Sequence, residues 1–170
     1  MRLGMIIRTS ASMLAGAVIA WLAATHFAAA SNLDERAAIA ALNRSITEAI
    51  QRRDVDAVMA GYADDTDITF FEDTIPFELR GRKNIRKYIE DLVATGSGVR
   101  DRLESASILV SGDLAAAHYI LTVNWTDKSG PHTERGRYTQ VLKKTNGRWQ
   151  IWHEHLSVPY DPTTGKAVLD

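Results

Sequence analysis

Two histidines near the C-terminus, His153 and His155, are the residues of this chain best suited to chemistry. They lie in a stretch that alternates in the manner of a β-strand, so side chains two residues apart share a face. On that face we expect Trp149 and Ile151 to come first and the two imidazoles to follow. Imidazole titrates near neutral pH, so the pair predicts general acid–base catalysis or the orientation of a ligand.

Two other interpretations of the histidines stay open. In the first they are structural, and each imidazole bonds to a carboxylate, a backbone carbonyl or a cross-strand hydroxyl. In the second the His-x-His pair chelates a metal ion, for which His118 or Asp67 would have to supply a third ligand. We predict acid–base chemistry that uses neither a metal ion nor a cofactor.

The turn Thr145-Asn146-Gly147 decides which residues lie beside the histidines. A three-residue loop with glycine in the left-handed conformation places Arg137 opposite His155 and Thr139 opposite His153. A two-residue Asn-Gly turn shifts the pairing by one residue, so that the intervening residues, Tyr138 and Gln140, share the histidine face instead. The first register is preferred because it gathers the polar groups on one side.

Other residues complete the candidate site. Arg137 is suited to hold a carboxylate, a phosphate or an enolate oxygen, with an ion pair to Glu154 or an exposed strand position as the alternatives. Asp67 is the candidate carboxylate base, with a role in a turn as the alternative. The predicted catalytic residues are His153, His155, Arg137 and Asp67, and the predicted ligand-binding residues are Tyr62, Thr139, Phe70 and Trp149.

Three helices and a sheet must position these residues. Helical periodicity predicts a first helix that ends near Arg53, a short second helix capped by Asp54, and a third that stops at Gly96. A short strand, 67–71, lies between the second and third helices. After the third helix the sequence pattern changes to that of four strands connected by hairpins, which predicts an α+β domain. These strands are approximately Arg102–Val110, Ala115–Thr126, Thr133–Lys144 and Arg148–Ser157.

This order of elements, together with Tyr62-Ala63-Asp64-Asp65 and the terminal pattern from Gly147 to Ser157, resembles the SnoaL-like families. These belong to the nuclear-transport-factor-2-like (NTF2-like), cystatin-like or ketosteroid-isomerase-like superfamily. The resemblance covers roughly residues 34–159. It implies a cone-shaped α+β barrel, with three N-terminal helices on a curved, mainly antiparallel sheet, an internal pocket and commonly a homodimer.

The resemblance implies little about activity, because relatives include isomerases, cyclases, dehydratases, epoxide hydrolases and non-catalytic binders. The first predicted helix, Leu33–Arg53, contains no tyrosine, which argues against the usual ketosteroid isomerase chemistry. Asp67 and Arg137 supply only part of the epoxide hydrolase pattern.

The N-terminus predicts export. Arg2 and Arg8 precede an apolar stretch that ends in Ala28-Ala29-Ala30, so residues 1–30 fit a signal peptide, with an uncleaved anchor as the alternative. A domain over 31–160 and an irregular tail over 161–170 would follow. The chain has no cysteine, so an exported domain would rely on packing alone. We expect a periplasmic or secreted bacterial protein.

Charge and composition limit the classes of partner that we expect the chain to bind. The net charge is −1, and a cluster of basic residues at the third helix fits a solvated face better than a phosphate site. We therefore expect a small organic ligand and a homodimer, no nucleic acid, and no stable membrane association after cleavage. The predicted function is cofactor-free acid–base catalysis (isomerisation, dehydration or hydration), and the alternative is a binding or assembly module. The basic cluster is Arg80, Arg82, Lys83, Arg86 and Lys87.

Overall fold

The structure is a computed structural model that describes residues 32–95 and 97–168. The chain divides into two compact units, Met1–Ala37 and Ala38–Asp170. The first unit is described only over residues 32–37, which are helical, and the predicted signal peptide lies outside the described residues. Within the described ranges, no helix is both long and apolar enough to cross a bilayer.

Three helices lie in the second unit: α1 (38–52), α2 (Val55–Ala60) and α3 (Arg82–Thr95). Asp54 begins α2 as predicted, because its carboxylate accepts a hydrogen bond from the Ala57 amide at 3.0 Å. Helix α3 buries one apolar stripe at helical spacing. That stripe consists of Ile85, Ile89 and Val93.

Six strands form one sheet in the order β2-β1-β6-β5-β4-β3. The pairings are antiparallel except that of β1 with β6, which confirms the predicted α+β class. Within the described residues the sheet is open, with β2 and β3 at its edges. The strands are β1 (Thr69–Phe71), β2 (Leu79–Arg80), β3 (Ser97–Ser111), β4 (Leu114–Asp127), β5 (Gly130–Thr145) and β6 (Arg148–Ser157).

The C-terminal segment is more ordered than predicted. Strands β7 (Tyr160–Asp161) and β8 (Lys166–Ala167) pair as a small antiparallel sheet. The Asp161 carboxylate accepts hydrogen bonds from the Thr163 amide and the Thr164 hydroxyl, each at 2.8 Å. An aspartate that bonds the backbone two residues on stabilises a turn, so Asp161 orders the turn between these two short strands.

The core lies on the inner face of the sheet, beneath the helices. Its largest fully buried side chains come from α1, α2, α3 and the strands, and they form one contiguous cluster. Burying such apolar surface supplies the main stabilisation of a domain without disulfides. The largest of these apolar residues are Ile39, Met59, Ile68, Ile85, Leu142 and Ile151.

The β5–β6 hairpin has a different register from the preferred one. Its turn has two residues, Asn146 and Gly147, both with positive φ (52° and 76°), and Thr145 pairs with Arg148. The Asn-Gly dipeptide adopts this turn readily because both residues tolerate positive φ. This turn, together with a β-bulge further along β6, pairs Arg137 with Ser157 and not with His155.

A β-bulge at Trp152 then reverses the alternation of β6. Val141 pairs with His153 and the next residue, Leu142, pairs with Ile151, so Trp152 is the extra residue. Before the bulge Trp149 and Ile151 are buried, and beyond it Glu154 and Leu156 are buried instead. The expectation that the histidines share the face of Trp149 and Ile151 was therefore wrong.

Candidate ligand cavity

A cavity of about 280 Å³ lies between the helices and the inner face of the sheet. Ile46 and Ile50 of α1 and Ile89 of α3 form one wall, and Tyr119 and Leu121 of β4 form part of another. Ligand pockets commonly measure roughly 300–1,000 Å³, so this one fits a small molecule.

Glu154 of β6 is the buried carboxyl of this cavity. Its side chain is 2% exposed and accepts three hydrogen bonds from residues that also line the cavity. The Tyr62 and Tyr138 hydroxyls donate to Oε2 at 2.5 and 2.8 Å, and Gln140 Nε2 donates to Oε1 at 2.7 Å. Three uncharged donors thus converge on one carboxyl group.

Burial sets the protonation of Glu154 and of the two tyrosines that bond to it. Removal from water raises the pKa of Glu154, and the hydrogen bonds from Tyr62, Gln140 and Tyr138 oppose that rise without cancelling it. Burial and the nearby carboxylate also raise the pKa values of Tyr62 and Tyr138, so both hydroxyls keep their protons and remain donors. The carboxyl is therefore suited to take up and release a proton at a higher pH than an exposed glutamate.

Arg82 holds Tyr62 in place. Its guanidinium donates to the carbonyls of Met59, Tyr62 and Ala63, at 2.7, 2.9 and 3.3 Å, at the C-terminal end of α2 and just beyond it. Arg82 was predicted to belong to a solvated basic face. Its side chain is only 33% exposed, so Arg82 instead joins the end of α2 to the start of α3.

The β6 backbone fixes the same segment from the other side. The Ile151 amide donates to the Gly61 carbonyl and the Ala63 amide donates to the Ile151 carbonyl, each at 2.8 Å. Tyr62 therefore reaches Glu154 from a segment that is held on both sides.

A second group of carboxyls lines the cavity: Glu72 and Asp73, in the segment after β1, and Glu134 on β5. Tyr88 of α3 lies near the Glu72 carboxyl, and Asp73 lies near both glutamates. Burial, with the nearby carboxylates, raises the pKa of Glu72 to about 8 and that of Glu134 to about 7. We call Glu72, Asp73 and Glu134 the acidic cluster.

Of the predicted ligand-binding residues, Tyr62 and Phe70 line the cavity. The Phe70 ring packs edge-on against Tyr88, with ring centroids 5.4 Å apart. Trp149 lies in the core instead, 6% exposed, on the part of β6 that precedes the bulge. Thr139 is exposed and pairs with His155 on the outer face of the sheet.

The two histidines lie together on that outer face. His153 Nδ1 is 2.7 Å from the Thr69 hydroxyl, and the Phe71 ring packs against both imidazoles, with centroids 4.9 and 5.8 Å apart. Partial burial, and then the neighbouring His155, lower the pKa of His153. The two histidines thus share one environment on the outer face, and neither is among the described residues that line the cavity.

The predicted partners of the histidines are dispersed. Arg137 shares their face, but its guanidinium donates to the Val158 carbonyl at 3.3 Å and does not reach Glu154. Asp67 is exposed and lies 4.0 Å from the Arg80 guanidinium. Across the part of the chain that the structure describes, no three His, Asp or Glu side chains are grouped to hold a metal ion.

Sequence reasoning missed Glu154, Tyr138 and Gln140 as site residues. One signal for them was present, since the Asn146-Gly147 dipeptide favours the two-residue turn. On its own that turn places Tyr138 and Gln140 beside the histidines, and only the bulge brings them to the face of Glu154. The acidic cluster had no comparable signal, since Glu134 is far from Glu72 and Asp73 in the sequence.

Comparisons with known proteins agree with this fold. The family model described as a SnoaL-like domain matches residues 39–161. An NTF2-like protein of unknown function from Pseudomonas putida KT2440 is 27% identical, with a TM-score of 0.70, over 84% of this chain and 96% of that chain. A search of curated proteins found no match.

Two more distant structures share the fold alone. A putative scytalone dehydratase from Novosphingobium aromaticivorans is 18% identical, with a TM-score of 0.66, over 73% of this chain and 83% of that chain. The association domain of C. elegans CaMKII is 22% identical, with a TM-score of 0.62, over 75% of this chain and 98% of that chain. The resemblance noted from the sequence is thus confirmed, and the chain belongs to the SnoaL-like domain family of the NTF2-like superfamily.

Proposed function

We propose that the cavity binds a small organic molecule and that Glu154 transfers a proton to or from it without a cofactor. The observation that carries this proposal is the Glu154 carboxyl, which is fully buried at the wall of an apolar cavity and has a raised pKa. General acids and bases work best when their pKa lies near the working pH, and burial moves a carboxyl in that direction.

The neighbours of Glu154 supply the hydrogen-bond donors for such a reaction. The Tyr62 and Tyr138 hydroxyls stay protonated and can turn from the carboxylate to an oxygen of the ligand as negative charge develops there. Isomerisation, dehydration and hydration all need this pair of functions, a base for a C–H or O–H proton and a donor for an oxygen. The dehydratase name of one relative is consistent with this class of reaction.

Proton exchange on a simple ketone tests the proposal. We expect the protein to accelerate incorporation of deuterium from D2O into 2-indanone, because Glu154 removes a proton next to the carbonyl and returns a deuteron. Mass spectrometry of the ketone measures the rate. Glu154→Gln keeps the size of the side chain but removes the base, so this variant should lose roughly 10²-fold or more of the rate.

The matched control is His155→Gln, which changes a neighbouring side chain on the outer face. It should exchange 2-indanone at the wild-type rate. Equal rates for wild type and Glu154→Gln, with the melting temperature preserved, would overturn the assignment of Glu154 as the base. Loss of exchange in His155→Gln alone would restore the histidines as the catalytic residues.

A second candidate function is assembly, and we infer a homodimer formed through the outer face of the sheet. Its support is three large apolar side chains exposed on that face, Phe71 (39%), Leu109 (67%) and Leu114 (52%), and the association role that the C. elegans relative carries in its name. Light scattering should give the mass of a dimer for the wild type and of a monomer for Leu109→Glu. A wild-type monomer at about 100 μM would contradict the dimer.

A further inference from the structure

The acidic cluster lies at the cavity without a basic partner among the described residues that line it. Glu72, Asp73 and Glu134 all line the cavity, and the Asp73 carboxyl helps to raise the pKa of both glutamates. Of the described side chains that line the cavity, none belongs to lysine, arginine or histidine. Like charges in a partly buried site cost free energy unless a proton or another cation offsets them.

Two buried amide side chains add an independent observation. Asn43 is 6% exposed and Gln140 is 2% exposed, and both residues line the same cavity. Asn43 Oδ1 and Gln140 Oε1 accept no hydrogen bond from any described residue, and the same is true of Glu72 Oε2. A buried acceptor without a donor costs about 1–3 kcal/mol, so these oxygens call for a ligand that brings N–H or O–H donors.

Aromatic rings line the same cavity as these acceptors. Tyr88, Tyr119 and Trp125 line the cavity with Phe70. The faces of such rings attract a positive charge and also pack well against an apolar or aromatic body. The site thus combines carboxylates, unpartnered carbonyl oxygens and aromatic faces in one cavity.

We propose that the ligand of this cavity is an organic cation, namely a protonated amine carried on an apolar or aromatic body. The ammonium group would lie at the acidic cluster, where its N–H groups supply the missing donors, and the body would extend along the aromatic wall toward Glu154. This inference rests on the proposed function, because it places the substrate in the same cavity.

A matched series of probes with one carbon skeleton tests the charge preference. Isothermal titration calorimetry on the full chain would compare 2-aminoindane, which is protonated at neutral pH, with 2-indanol and indane-2-carboxylate. We expect the amine to bind at least about tenfold more tightly than the alcohol, because it gains charge-assisted hydrogen bonds. The carboxylate should bind more weakly than the alcohol.

Removing the acidic charges should remove the preference. In the double variant Glu72→Gln/Glu134→Gln, the amine should lose about tenfold in affinity, while the affinity for 2-indanol stays within about twofold. Glu78→Gln is the matched control, since Glu78 pairs with Arg80 outside the cavity. An amine preference that survives in the double variant would overturn the proposal.

The wild-type protein gives a second readout that does not depend on how well the variants fold. Asp73, Glu134 and Tyr88 are the titratable groups near Glu72. Because Glu72 and Glu134 lose protons between about pH 6 and about pH 9, amine binding should strengthen over this range. Binding of 2-indanol should not change over this range. An amine affinity that is flat over the same range would contradict the proposal.

The two proposals fail in different ways. Should 2-indanone exchange depend on Glu154 while the amine binds no better than the alcohol, the catalytic assignment stands and the cationic ligand is wrong. Should the amine bind through the acidic cluster while Glu154→Gln exchanges as fast as wild type, the ligand class stands and the role of Glu154 as a base is wrong.

Discussion

Glu154 and its two sequence neighbours, His153 and His155, lie on opposite faces of the sheet although they are consecutive on one strand. Glu154 lies at the cavity wall with three hydrogen-bond donors around it, whereas the histidines lie on the outer face beside Phe71. Burial acts on both sides and favours the neutral form of each group, so it raises the pKa of Glu154 and lowers that of His153. The face on which a residue lies, and not its type, therefore decides which group can serve the cavity.

The largest effect should come from truncating the inner residue. Glu154→Ala leaves the Tyr62 and Tyr138 hydroxyls and the Gln140 amide buried without an acceptor, and it opens a void in the wall. We expect a loss of roughly 2–5 kcal/mol in the free energy of unfolding, measured by urea denaturation.

The outer residue supplies the control. His155→Ala removes an exposed side chain and should change the free energy of unfolding by no more than about 0.5 kcal/mol. If the two variants were destabilised equally, the contrast between the faces would fail.

A smaller effect concerns pH, and here the two faces should act with opposite sign. The folded state raises the pKa of Glu72 and Glu134 from 4.5 to about 8 and about 7, so it holds more protons than the unfolded chain in this range. Their contribution to stability is present below about pH 4.5 and is lost as the pH rises to about 8. His153, whose folded pKa is lowered from 6.5, contributes in the reverse direction and loses stability as the pH falls.

Thermal denaturation from about pH 5 to about pH 8 separates these contributions. Because the cavity holds several such carboxyls, including Glu154, we expect the melting temperature to fall by roughly 3–8 °C over this range. The double variant Glu72→Gln/Glu134→Gln should flatten the fall, and His153→Gln should steepen it. A melting temperature that rises with pH in all three proteins would show that the cavity carboxyls do not dominate.

The fold was predictable from the sequence because it depends on patterns that repeat over many residues. The apolar stripe of α3 and the hairpin strands from β3 to β6 each contain enough periods for one irregular residue not to matter. Asp54 could also be placed as the cap of α2, since its role is local. The α+β class and the family resemblance follow from these regular features.

The candidate site was less predictable because it depends on a single residue. A bulge adds one residue to β6, and with a period of two this exchanges the inward and outward side chains beyond Trp152. Nothing in the alternation of Gln150, Ile151 and Trp152 marks that insertion. Arg82 was equally hidden, because its role depends on the end of α2, twenty residues earlier in the chain.

The bulge at Trp152 also limits how functional residues can be transferred between relatives. A one-residue gap placed on the wrong side of Trp152 in an alignment would match the inward Glu154 of this chain with an outward residue of another. At identities near 20%, such a gap changes an alignment score little but reverses every assignment in the last half of the strand. Equivalent positions in this strand are better recognised by which side chains are buried than by their order along the chain.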